Sequence, residues 1–328
     1  MKKAFFINGG AGRVLCAIPA LEYYVKNTDP TAVIVVEGWI DLYLTSKTLA
    51  NNVHHATNPD LFEKLKDREI ITPEPYKLNA YFTQRCNLVQ AFDMLINYDV
   101  PPEIIPETKE YNIFIGKKDI AQANELVNEA RNHFKKQQVV IFQPFGKTAG
   151  LQGNTIIDES GRSFEVDDIV KILEELNKDY AVIMMSELKV PGNKALGVMV
   201  PESVSLLQWT AIINAADYFL GCDSVGQHIA HALKKPGTVV IGGTFPENIS
   251  YPSSSTLTII DNGKDERKYS PIRVAVDIRI DRHNENLMVL SDETVKTIVK
   301  QIKTTLGKTA KAYVEPKQAA GCSAPGCA

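Results

Sequence analysis

Residues 218–228 hold the densest chemistry in the chain. The apolar run Tyr218–Gly221 reads as a strand, and Asp223-Ser224 after it are helix-capping types. A helix begun there presents unpaired backbone N–H groups and the positive end of its dipole. Together these make an anion site suited to a phosphate or diphosphate. His228 stands four residues beyond Ser224, so the two share one helix face. It would add a hydrogen bond to the same anion. The plainer reading makes Asp223 a simple cap and His228 a core histidine. These residues alone leave both readings open.

A second candidate lies near the start. Lys3–Ile7 reads as a buried strand, and Asn8-Gly-Gly-Ala-Gly-Arg13 as a glycine-rich turn before a helix over 14–26. Gly10 and Gly12 then permit close approach of backbone to a ligand, or simply a tight turn. Glu37 ends the next strand at the distance of a ribose-binding acid. This partly matches a dinucleotide fingerprint, but Leu15 fills the slot of the third glycine.

The elements that position these residues alternate. Strands are expected at 31–37, 111–116, 139–142, 181–185, 218–221 and 238–241. Helices are expected at 119–135, 166–177, 206–215, 223–233 and 290–306. Alternating βαβ units build parallel sheets, so the fold class is α/β: two Rossmann-like parallel-sheet domains facing across a cleft. The expected divisions are 1–137, an N-terminal domain; 138–290, a C-terminal domain; 291–306, a last helix; and 307–328, a flexible tail. The tail holds Cys322 and Cys327 without a nearby His or Cys, half a zinc site at best. Cys16, Cys86 and Cys222 sit in apolar segments and read as small buried hydrophobes of a reducing compartment.

Composition narrows the function classes. The chain has 328 residues, 44% hydrophobic and 23% charged, with a net charge of -3. Disorder is excluded for most of the chain, and a general polyanion-binding surface is not expected. No apolar run is long enough to span a bilayer, and the first residues lack a secretory pattern, so a cytoplasmic location is expected. Lys77, Arg85, Arg131, Lys135 and Lys136 are candidates for a local basic edge.

The segment 206–246 resembles the donor-binding half of the heptosyltransferases, glycosyltransferase family 9, which has the GT-B architecture. Asp223-Ser224, His228, Ala230, Ala232, Pro236, Gly242, Gly243, Thr244 and Pro246 fall in the family register. Val225 holds the family's middle-glycine slot, and Gly226 comes one later. Val139–Gly146 followed by Lys147, Arg162-Ser-Phe164, Met184–Glu187 and Gly12–Leu21 resemble further family steps, so the likeness covers most of residues 5–250. One departure stands out: Arg13 occupies the place of the family's catalytic aspartate, and an arginine is no general base at neutral pH.

The resemblance implies transfer of a sugar from a nucleotide-diphosphate sugar to an acceptor hydroxyl, with inversion, without a metal, and with no cofactor beyond the donor. No Asp-x-Asp occurs in the chain. Lys147, Arg162, Asp223, Ser224, Val225, Gly226, His228 and Thr244 would hold the donor's phosphates, and Glu187 its ribose or base. Gly10, Gly12 and Arg13 would form the acceptor-side loop, Arg13 binding an anionic group. Glu37 and Asp41 are the candidate bases, while His54 and His55 are poorer ones. The expected partners are the nucleotide sugar and a glycan or lipid-linked saccharide, phosphorylated as in lipopolysaccharide, with a modified DNA base still open as acceptor; the oligomeric state is not legible. Competing readings are a nucleotide-sugar epimerase, an NAD-dependent oxidoreductase on the first glycine loop, and a non-catalytic nucleotide-sugar or glycan-binding protein.

Overall fold

The computed structural model describes residues 2–111, 113–153, 155–158, 160–188, 196–268, 272–273, 280–281 and 284–307. Cys322 and Cys327 therefore lie outside the described residues. The first half runs β1 (Lys3–Ile7), α1 (Ala11–Asn27), β2 (Val33–Val36), α2 (Ile40–Leu44), β3 (Val53–His55), α3 (Leu61–Leu65), β4 (Glu69–Ile71), α4 (Asn79–Phe82) and α5 (Leu88–Ile96). Its four strands pair in parallel in the order β3-β2-β1-β4. The β2 segment Val-Ile-Val-Val is buried throughout, as a parallel strand covered on both faces requires.

The chain continues through α6 (Lys117–Phe134), β5 (Val139–Gln143), β6 (Gly150–Gln152), β7 (Thr155–Ile157), α7 (Val166–Leu176) and β8 (Ala181–Met184). Then come α8 (Leu206–Ala215), β9 (Tyr218–Cys222), α9 (Val225–Ala232), β10 (Gly237–Ile241), α10 (Pro246–Ile249), β11 (Leu257–Asp261) and, last, α11 (Asp292–Leu306). The second sheet is also parallel, in the order β11-β10-β9-β5-β8. A Ser205–Gln208 capping box starts α8, each side chain bonding the other's backbone N–H. The C-terminal helix α11 rests on α7 and β10.

Several expectations change. Residues 111–116 form no strand among those described; Phe114 N–H reaches Thr45 O at 3.1 Å and the segment otherwise runs as a connection. Helix α1 starts at Ala11, so Arg13 lies in its first turn and not in a loop. The stretch 143–162 contains a short antiparallel ribbon, β6 with β7. Packing also crosses the boundary expected near 137, because α6 lies on α8 and the second sheet. The basic edge is divided: Arg131 pairs with Asp217 at 3.0 Å and Lys136 donates to Lys178 O, both on the second sheet's side, while Arg85 bonds Thr83 and Asn79 beside α4.

Candidate functional site

Open parallel sheets bind ligands beyond the carboxyl ends of their strands, where the strand order reverses. In the second sheet this point lies between β5 and β9. Two loops meet there: residues 144–163 after β5, and the start of α9 after β9. Asp158 organises the first. Its Oδ1 accepts from the Thr148 and Ser160 hydroxyls at 2.7 and 2.6 Å, and its Oδ2 from the Ser163 hydroxyl. Burial alone would raise this carboxyl, but the bonds from Ser160, Ser163 and Thr148 outweigh it and hold it below the usual range.

That network aims Arg162. Its Nε donates to Ser160 Oγ at 3.0 Å, one Nη to Thr148 Oγ1 and the other to Asp223 O, each at 3.3 Å. All these partners are neutral, and among the described residues no carboxylate pairs with the guanidinium. Lys147, exposed in the same loop, places its ammonium 4.5 Å from the centre of the Trp39 ring. The two lobes face each other at this contact.

The start of α9 departs from expectation. Ser224 is the N-cap, but its side chain makes no capping bond. Gln143 caps from outside the helix: its Oε1 accepts from Gly226 N–H at 3.0 Å, and its Nε2 donates to Ser224 Oγ at 3.0 Å. An anion reaching this amide would have to displace the carboxamide. Val225, in the next position, is half-buried. Asp223 and Thr244, each 3% exposed, bond each other at 2.9 Å, and Asp223 also accepts from Gln227 Nε2. The Thr244 hydroxyl is thus committed to Asp223 and does not offer itself to a phosphate.

His228 is the largest correction. It is 3% exposed and packs against α1. Its Nδ1 lies 2.7 Å from the Tyr251 hydroxyl and 3.5 Å from Cys16 Sγ. The Tyr111 hydroxyl donates to Cys16 at 3.3 Å and meets that of Tyr251 at 3.1 Å. His231 stacks on Tyr251 at 3.6 Å. Burial pulls His228 and His231 down to about 4, so both imidazoles are neutral at pH 7. Burial likewise pushes the Cys16 thiol up to about 12. The group is a buried polar seam between α1 and α9.

Gly12 belongs to that seam. A Cβ on it would sit 2.9 Å from His228 Cδ2, so the close approach that glycine permits here is taken by a side chain and not by a ligand. Gly10 lies open. Arg13 is 6% exposed; its Nη1 donates to Glu74 at 2.9 Å and its Nη2 to Pro73 O at 3.0 Å. The rings of Tyr76 and Phe92 flank its guanidinium. It is a buried ion pair, not an exposed anion-binding group. Glu37, Asp41 and Glu187 are all exposed. Glu37 and Asp41 bracket Trp39, while His54 and His55 lie on the edge strand β3.

Sequence reasoning missed Gln143, Asp158, Trp39, Glu74 and Tyr251. Gln143 alone carried a signal, since it ends a strand inside a quoted motif. Among the described residues no three His, Cys, Asp or Glu side chains converge as metal ligands, and no helix is long and apolar enough to cross a membrane.

No protein-family model and no curated protein matches the chain. Solved structures do. ADP-heptose LPS heptosyltransferase II of E. coli superposes with a TM-score of 0.53 at 12% identity, covering 93% of this chain and 98% of that one. A family 9 glycosyl transferase from Veillonella parvula gives 0.57 at 10% identity, over 92% and 96%. TibC of enterotoxigenic E. coli, described as an iron-containing dodecameric glycosyltransferase, gives 0.58 at 12% identity, over 93% and 78%. At such identities the likeness concerns architecture: the chain has the GT-B fold of the family 9 glycosyltransferases that its motifs resemble.

Proposed function

We propose that the chain transfers a sugar from a nucleotide-diphosphate sugar to an acceptor hydroxyl, in one displacement with inversion and without a metal. The observation that carries this reading is Arg162: a charged guanidinium held by neutral partners, beside the exposed Lys147, at the strand-order reversal of the second sheet. Negative charge grows on the departing nucleoside diphosphate. Cations fixed before reaction stabilise it without reorganising. Arg162 would do this from its fixed position, joined by the Ser224 hydroxyl and, once the donor is bound, by Lys147. Glu37 or Asp41 would take the acceptor's proton, and Glu187 would contact the nucleoside.

Calorimetry with ADP, GDP and UDP against NAD tests the donor side. Binding of one diphosphate and not of NAD supports the reading; binding of NAD alone ends it. Pooled nucleotide sugars incubated with candidate acceptors and read by mass spectrometry test turnover. Either Glu37→Gln or Asp41→Asn should then abolish transfer while sparing nucleotide binding. If both variants turn over normally, neither carboxylate is the base.

A further inference from the structure

Trp39 sits in the turn between β2 and α2 with φ 62 and ψ 27, a left-handed conformation that bulky residues rarely adopt. Strained residues held by their surroundings cluster where ligands bind. Its indole is half-buried and leans on the core, and Lys147 lies over the ring. Exposed carboxylates stand two residues away on either side, Glu37 and Asp41. An aromatic face with exposed carboxylates two residues away in the chain suits a neutral saccharide: the sugar's C–H face would cover the ring and its hydroxyls would donate to the carboxylates. The same carboxylates repel a phosphate backbone, which counts against nucleic acid.

Lys147 occupies that face now. Its ammonium has no carboxylate partner among the described residues, and an arriving diphosphate is a stronger partner than a ring quadrupole. Resting on the donor-site reading above, we propose that Trp39 is the acceptor-binding residue for a neutral sugar ring. In this scheme Lys147 covers its face until the donor's diphosphate draws the ammonium away. Binding is then ordered, with the donor first and the saccharide second.

The chain has two tryptophans, so Trp209→Phe leaves Trp39 as the sole tryptophan, read by excitation beyond the tyrosine band. In that background, a nucleoside diphosphate that binds by calorimetry should change Trp39 emission with the same midpoint. A methyl pyranoside should perturb the emission again, but only with nucleotide present. Lys147→Met should abolish the first change and let the pyranoside act alone. Trp39→Gly, which suits the left-handed backbone, should weaken pyranoside binding about tenfold while leaving nucleotide affinity within about twofold. Nucleotide heat with unchanged emission would overturn the proposal, as would a response to a single-stranded oligonucleotide in place of the pyranoside. Absence of any nucleotide heat would instead sink the donor-site reading, and this proposal with it.

Discussion

Each sheet reverses its strand order once, and the two reversals are filled differently. In the first sheet the reversal lies between β1 and β4, and Arg13 and Glu74 fill it with an ion pair whose side chains are 4% and 9% exposed. In the second it lies between β5 and β9, where Arg162 meets, among the described residues, hydroxyls and a backbone oxygen. A buried cation with a carboxylate partner is spent on the fold. A cation held by neutral partners keeps its charge for something that arrives. On the proposed reading, ligand chemistry belongs to the second reversal and architecture to the first.

Arg13→Ala breaks the comparison most severely if it is wrong. The substitution takes the guanidinium away from a buried carboxylate, so stability in urea should fall by about 3–5 kcal/mol. Arg13→Met with Glu74→Gln should recover much of it. A stable Arg13→Ala protein that no longer bound substrate would return Arg13 to the ligand site.

Acid comes next. The folded-state value of His228 lies near 4 because of burial, below its usual 6.5, so the unfolded chain binds the extra proton between those values. Stability is therefore fully present above about 6.5 and falls as pH drops toward 4, by on the order of 3 kcal/mol. His231 acts in the same sense. Asp223 opposes the His228 shift and Glu110 the His231 shift. Denaturation across this range should flatten in His228→Gln; an unchanged profile would show that the seam does not hold the imidazole neutral.

The smallest effect sharpens the second reversal. Arg162→Met should weaken nucleoside-diphosphate binding about tenfold and move the melting temperature little. A large loss of stability with unaltered affinity would make Arg162 a loop brace.

Much of the frame was legible. Val139–Gln143, Tyr218–Cys222 and Gly237–Ile241 hold the apolar runs of strand length that the sequence shows. Tyr111–Gly116 misled because its apolar residues serve a connection: the Tyr111 hydroxyl reaches Cys16 and Tyr251, while Phe114 stays exposed. His228 misled for a related reason. Its spacing from Ser224 fixes a helix face, but only the tertiary structure shows that His228 packs against α1. Glu74, the partner that turns Arg13 into a structural group, lies 61 residues away, beyond any local pattern. Lys147 and Arg162 were singled out through motif likeness, yet the Asp158 network that aims Arg162 carried no signal of its own.

The placement of α6 bears on how the molecule comes apart. Ala123, Val127 and Ala130 of this helix are buried, and its neighbours are α8, β5 and β8. A fragment severed at residue 138 would leave those neighbours bare to water, and it should aggregate. One severed just ahead of Lys117 would retain its cover. Nicking by protease and recombining the halves should thus succeed in the stretch between α5 and α6, and fail at the turn that follows Phe134.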